Sequence, residues 1–299
     1  GLETIAIATA KIRMGMADAI VAGGTESMSM VPTAGWKTVP AYSIAKDDPD
    51  YYLSMGLTAE AVAKEYNVSR EDQDQFSYQS HQKALKAIES GALKEGVLPI
   101  TVEEVYLNEK GKKATRNYVV DTDEGPRADT SMEALAKLKP AFAAGGVVTA
   151  GNSSQTSDGA AFVLVVSERL VKELNLQPIG RLVACASAGV HPRIMGIGPV
   201  AAIPKVLNSV GMNLSQIDQV ELNEAFASQS LAVIREAGLD PEKVNPNGGA
   251  IALGHPLGCT GAKLTVQILN DLKRNNKKYG MITACVGGGQ GIAGIVERL

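Results

Sequence analysis

Apolar positions in the first turns of the chain fall on one face: Leu2, Ile5, Ala6, Ile12 and Met16, with the small Thr9 completing the row. That spacing predicts a helix over residues 2–16. Residues 19–22 form a short apolar run that predicts a buried strand ending at Gly23-Gly24. From residue 25 to about residue 151 the texture turns polar. Helices are predicted there over 57–66 and 70–90, the second capped by Ser69 with Gln73 in the same first turn. Residues 99–120 predict two strands around a Lys-rich turn at 108–113, whose Lys110, Lys112 and Lys113 read as solvated. From Gly159 onward strands alternate with helices. Strands are predicted over 160–167, 180–190, 219–222, 281–287 and 291–298, and helices over 167–175, 200–210, 224–237 and 259–274. Such alternation predicts a parallel-rich sheet covered by helices.

The pattern repeats. Residues 1–27 run helix, strand, Gly-Gly, and residues 258–291 do the same. Each glycine pair leads on to another apolar strand, 160–167 in the first copy and 291–298 in the second. A long insertion, about 25–158, interrupts the first copy. About 95 residues of strand and helix precede the second copy, and nothing precedes the first. Equivalent halves would therefore leave the first half incomplete, and the absence of an initiator Met agrees. The expected division is a remnant of the N-terminal half at 1–24, an inserted loop domain at 25–158, and the last strand of that half with the C-terminal half at 159–299.

Composition narrows the function classes. The 299 residues are 45% hydrophobic and 20% charged, too apolar for a disordered chain. A formal net charge of −3 argues against a broad nucleic-acid face. No run of 18 apolar residues predicts a membrane span, and Lys11 and Arg13 sit inside the first apolar stretch, unlike a signal peptide. Cys185, Cys259 and Cys285 are too few, and odd in number, for a disulfide framework. A reducing, cytoplasmic setting is expected.

Candidate chemistry gathers at a few places. The segment NGGAIALGHPLGCTGAK, 247–263, holds His255 between Gly254 and Gly258, stiffened by Pro256, and opens a helix. A histidine so held can act as acid or base near neutral pH, or can simply serve a tight loop. Cys285 ends an apolar strand and enters Gly287-Gly288-Gly289, where backbone N–H groups can approach a ligand oxygen, although a buried thiol is the plain alternative. Cys259, four residues after His255 at a helix start, reads locally as the best nucleophile. Asn223 follows a strand end and could serve a ligand or cap a helix. The turn 151–154 reads either as ligand-facing or as a plain loop. His81 reads as a solvated helix residue, His191 as a loop residue and Cys185 as core.

Six segments together resemble the thiolase family: AGGTESMS at 22–29, TAGNSSQTSDGAA at 149–161, MGIGP at 195–199, NEAFA at 223–227, GGAIALGHPLG at 248–258 and CVGGGQG at 285–291. They stand in family order and span the chain. The resemblance implies an α/β fold of five αβαβα layers, two similar halves with a loop domain inserted in the first. It implies reversible thioester chemistry with coenzyme A as a substrate, and no bound cofactor or metal. It further implies that His255 activates a nucleophilic cysteine and helps form one oxyanion hole, while Asn223 holds the water completing it. Cys285 would be the acid/base at the acetyl carbon, and the Gly287 N–H would serve a second hole. Ser154 and Arg127 match positions near coenzyme A; Met55, Met195 and Phe226 would border the acyl pocket. The partners implied are acyl-CoA, CoA and further copies of the chain, as a homodimer or homotetramer, with no nucleic acid or membrane.

One departure stands out. The family nucleophile lies in a CxSG-type turn, of which Gly1 would be the last residue, so it is expected about three residues upstream. Cys259 does not match it. The expectation is a degradative 3-ketoacyl-CoA thiolase whose 299-residue chain is inactive alone. The alternatives are a biosynthetic acetoacetyl-CoA thiolase, a non-catalytic acyl-CoA or lipid-binding relative, and a Cys-His hydrolase using Cys259.

Overall fold

A computed structural model describes residues 1–33 and 35–299. The chain opens with helix α1 (Leu2–Arg13) and strand β1 (Ala19–Ser27). Helices α2 (Tyr42–Asp47), α3 (Met55–Glu65) and α4 (Arg70–Glu89) follow, then the hairpin β2 (Ile100–Leu107) and β3 (Lys113–Val120) and helix α5 (Met132–Ala136). Next come β4 (Asp158–Val166), α6 (Glu168–Glu173), β5 (Gly180–Gly189), α7 (Gly198–Ser209), β6 (Gln219–Leu222) and α8 (Ala227–Glu236). The short α9 (Ala250–Leu253), α10 (Thr260–Arg274), β7 (Tyr279–Val286) and β8 (Gln290–Arg298) complete it.

Local physics explains the main elements. Helix α1 carries Glu3 in its first turn and Lys11 and Arg13 in its last, matching the helix dipole, and buries Leu2, Ile5 and Ala8. Helix α10 buries Ala262, Leu264, Thr265, Ile268, Leu269 and Leu272, a stripe at helical spacing. At α4 the Ser69 side chain accepts the Asp72 N–H at 3.0 Å, the cap its sequence predicts.

Two sheets face each other across α1 and α10. One pairs β1 with β4, antiparallel, across the whole 25–158 segment; β1 runs through Gly23-Gly24 to Ser27 instead of stopping at the glycines. The other has the order β5-β8-β7-β6. Only β6–β7 is parallel there; β5–β8 and β7–β8 are antiparallel. The parallel-rich expectation is thus corrected: the turn at Gly287–Gly289 joins β7 to β8 directly, with no helix between them, so that pair must be antiparallel.

Leu2 packs with Leu264, Ile268, Ile282 and Val296, and Ile5 and Ala8 pack with Ala22 and Ala262, so the two helices fill the space between the sheets. Their N-terminal ends touch reciprocally. A Cβ on Gly1 would stand 2.4 Å from Ala262 N, and one on Gly261 would stand 2.1 Å from Leu2 N. Neither position has room for a side chain, and the near-equivalence marks a local pseudo-twofold. On the far face of the larger sheet, Ala202, Ile203 and Val206 of α7 and Val233 of α8 pack on Val220, Leu222, Met281 and Ile295. Four of the five implied layers are therefore present among the described residues. The outer face of β1–β4 is bare, with Val21, Leu164 and Phe162 exposed at 67%, 62% and 53%.

Candidate active site

His255 sits just after α9, where Gly254 adopts φ +83°, a left-handed turn that favours glycine. The His255 N–H is held by Ser157 Oγ at 3.1 Å. The ring is fixed at both nitrogens. Nδ1 lies 2.7 Å from Thr260 Oγ1, whose own hydroxyl donates to Pro256 O at 2.9 Å. That hydroxyl proton is committed, so its oxygen accepts from Nδ1–H. Nε2 then carries the lone pair and meets Asn223 Nδ2 at 3.2 Å. Burial, reinforced by the nearby Lys263 charge, pushes the His255 pKa down to about 4. The imidazole is neutral at pH 7, with a basic Nε2.

Asn223 stands at the end of β6, whose four residues are all buried, and its N–H donates to Thr283 O of the neighbouring β7 at 2.9 Å. The capping role is not what it does: α8 begins after Phe226. Asn223 Oδ1 is buried without a protein partner among the described residues. The next residue, Glu224, accepts from Ser80 Oγ at 2.7 Å, Asn245 Nδ2 at 2.9 Å and Ile251 N at 3.2 Å, tying the strand end to α4 and α9. Burial pushes its carboxyl above the usual range.

Cys285 lies near the end of β7, beside β6, so it shares one end of the sheet with Asn223. It is 8% exposed, and burial pushes its thiol up to about 12, so it is protonated at neutral pH. Gly287 begins the following turn, and a Cβ there would be 3.9 Å from Met55 Sδ. Met195, Ala225 and Phe226 pack around Cys285. Phe142 closes edge-on against Phe226, with ring centroids 5.9 Å apart, and its ring also abuts Gly56. Met55, Met195 and Phe226 are thus brought to one apolar wall around Cys285. The sequence reading missed Phe142, which lies among small residues at 140–146 where no periodicity marks a lone aromatic.

Cys259 departs from its local reading. It is 1% exposed, and burial pushes its thiol up, outweighing the pull of Lys263. A helix start does not make this thiol a ready nucleophile, and both nitrogens of His255 are engaged by Thr260 and Asn223 instead. Cys185 is half-buried in β5, its thiol pushed up to about 11 by burial.

A cleft of about 380 Å³ is lined by His81, Arg127, Leu135, Ser153, Gln155 and Ile251, among others. Ser154 is not in its lining, but its N–H donates to Ala225 O at 3.0 Å, between the cleft and the Cys285 wall. The Arg127 guanidinium is exposed and pairs with Asp129 at 3.0 Å. His81 is corrected from solvated to buried, at 5% exposure: its Nδ1 accepts the Arg127 N–H at 3.2 Å, and burial lowers its pKa. His191 accepts the Arg193 N–H at 3.3 Å, a local turn role. Among the described residues no group of three His, Cys, Asp or Glu is placed to hold a metal ion, and no helix is long and apolar enough to cross a membrane.

Comparison with known proteins fits this geometry. Residues 1–169 match the family description "Thiolase, N-terminal domain" and residues 176–298 match "Thiolase, C-terminal domain". The chain is 51% identical over 297 residues to the 3-ketoacyl-CoA thiolase of Bacillus subtilis, covering 99% of this chain and 76% of that protein. It is 47% identical over 312 residues to an acetyl-CoA acetyltransferase of Pseudomonas aeruginosa, covering 100% and 77%. Among solved structures, the dimeric peroxisomal thiolase of Saccharomyces cerevisiae superposes with a TM-score of 0.88 at 40% identity, covering 100% of this chain and 74% of that one. Human mitochondrial 3-ketoacyl-CoA thiolase in complex with CoA gives 0.88 at 38% identity, covering 100% and 75%. The paired halves, the six motifs and these likenesses agree: the chain belongs to the thiolase family, whose members are acyltransferases.

Proposed function

We propose that this chain supplies the acid–base and oxyanion machinery for thiolysis of 3-ketoacyl-CoA, yielding acetyl-CoA and a shortened acyl-CoA. The observation that carries the reading is the Thr260–His255–Asn223 chain, with a basic Nε2, beside a protonated Cys285 on the adjacent strand. In this reading His255 Nε2 takes the proton of a nucleophilic thiol, which attacks the keto carbon. The resulting oxyanion is met by Nε2–H and by a water held at Asn223 Oδ1, the buried acceptor with no protein partner. The C–C bond then breaks. Its electron pair leaves as the enolate of acetyl-CoA, whose oxygen the Gly287 N–H receives. The Cys285 S–H protonates the carbon. The Cys285 thiolate then takes the proton of a CoA thiol, whose sulfur attacks the remaining thioester; the shortened acyl-CoA is released as the nucleophile's C–S bond breaks, and the departing thiolate regains its proton from His255 Nε2–H.

Arg127, with Ser154 nearby, is assigned to coenzyme A, and Met55, Met195 and Phe226 to the acyl chain. The division into 1–24, 25–158 and 159–299 is retained as the working domain scheme. A homodimer or homotetramer and a cytoplasmic location complete the proposal.

None of the three cysteines stands as the nucleophile: Cys285 is the acid, Cys259 is buried and is the partner of neither His255 nitrogen, and Cys185 lies within a strand. The 299-residue chain is therefore proposed to be inactive alone. A chimera tests both parts. The portion of the Bacillus subtilis relative that this chain does not cover is joined to residues 1–299, and thiolysis is followed with acetoacetyl-CoA and longer 3-ketoacyl-CoAs. Turnover by the chimera and none by the chain supports the reading. Condensation of acetyl-CoA with no thiolysis of longer substrates would favour the biosynthetic alternative instead.

A further inference from the structure

We infer that Lys263 is a positioning residue for His255, its ammonium clamping the two carbonyls that precede the catalytic loop. This rests on the proposed role of His255, but its test does not depend on turnover. Lys263 Nζ donates to Leu253 O and to Gly254 O, each at 3.2 Å. These are the last carbonyl of α9 and that of the left-handed Gly254, the two peptides immediately before His255. The carbonyls at the end of a four-residue helix lack helical partners, so a side chain must satisfy them or the turn loosens. Lys263 lies one helical turn after Cys259 on α10, and the same end of α10 presents Thr260 to Nδ1. One helix end therefore holds both the backbone ahead of the histidine and its ring.

An apolar side chain would fill this place without the desolvation penalty of a charge. The ammonium's hydrogen bonds go to carbonyls rather than to a carboxylate. The charged and titratable groups around it are Asp123 from the inserted segment, Cys259 on its own helix, Glu221 on β6 and Glu224 beyond it. Glu221 and Glu224 are held toward their neutral forms by burial, so they offset its charge only partly. On His255 the charge that acts is Lys263 itself, which disfavours imidazolium and keeps Nε2 available as a base. Lys263 is thus placed to fix both the orientation and the protonation state of the ring.

The test uses the 299-residue chain and imidazole ¹⁵N NMR, with His255 assigned by His255→Gln. The native chain should show a His255 midpoint near 4. Lys263→Met should raise it, because the neighbouring like charge is removed while the burial of the ring remains. Lys263→Arg should keep the native midpoint, since it retains the charge. If Lys263→Met does not fold, Lys263→Gln gives the same reading. An unchanged midpoint in the neutral variants, with only a lowered melting temperature, would overturn the inference and leave Lys263 as packing. None of these outcomes depends on the thiolysis assay, so failure of one proposal is distinguishable from failure of the other.

Discussion

The two copies of the helix–strand–glycine unit share a pattern and differ in their surroundings. In the second copy, α10 and β7 are enclosed. β7 has β6 and β8 on its two edges, and Met281 and Ile282 are almost fully buried. Its strand carries Cys285 next to its last residue, Val286, before a tight glycine turn, at the end of the sheet where β6 also ends and delivers Asn223. In the first copy, β1 pairs only with β4 among the described residues, and the strand runs on through its glycines to Ser27. There Gly24 is pressed against the backbone of Gly258, next to the His255 loop. The same local code thus makes a chemical terminus in one half and a buttress for the other half's loop. What decides is which elements the strand meets, not the residues of the unit alone.

This contrast can be broken first at the chemistry. In an active chimera, Cys285→Ala should lower thiolysis about 10²–10⁴-fold, the usual value of a positioned acid or base. Asn223→Ala should cost about 10²–10³-fold through one oxyanion hole. Steady-state kinetics with acetoacetyl-CoA reads both, and equal loss from Cys259→Ala would move the chemistry to the wrong place.

Stability should differ as sharply between the halves. Ile295→Ala, at a fully buried position of the complete sheet, should cost about 2–5 kcal/mol. Leu164→Ala, on the bare face of β4, should stay within about 0.5 kcal/mol. Urea unfolding midpoints decide. Comparable losses would mean that the outer face of β1–β4 is covered in solution.

The pH dependence sharpens the site's half of the comparison. The folded pKa of His255, about 4, lies below its ordinary value of 6.5, so between these the unfolded chain binds the proton and the folded chain does not. His255 therefore adds stability above pH 6.5 that is lost as pH falls toward 4. Glu221 and Glu224, raised by burial, act oppositely, losing stability as pH rises past 4.5. Melting of the native chain against His255→Gln separates them: the gap should narrow as pH falls from 6.5 to 4. The smallest effect is expected at Arg127→Ala, whose pair with Asp129 is fully exposed and screened by solvent, so it adds little to folding. Its expected signature is weaker CoA binding with an unchanged melting temperature.

Much of this was legible in the sequence for physical reasons. The strand at 219–222 matches its predicted bounds, because all four residues are buried. The Ser69 cap and the α10 stripe follow from local chemistry. Other features needed the tertiary context. Helix α4 buries Gln73, Asp74, Ser77, Ser80 and His81, a polar face that hydropathy reads as solvated. Its partners come from distant segments: Asp74 meets Asn152, Ser80 meets Glu224 and His81 meets Arg127. Helix α9 is too short to show a period. The site motifs were visible as segments, yet neither Asn223 reaching His255 nor the protonated state of Cys259 could be read from spacing.

The most direct test is a thiolysis assay run side by side on the 299-residue chain and on the chimera, each with and without Cys259→Ala. The expected result is no turnover by the chain, turnover by the chimera, and no dependence on Cys259. Turnover by the chain alone that disappears with Cys259→Ala would contradict the assignment of His255, Asn223 and Cys285 to a nucleophile outside these 299 residues.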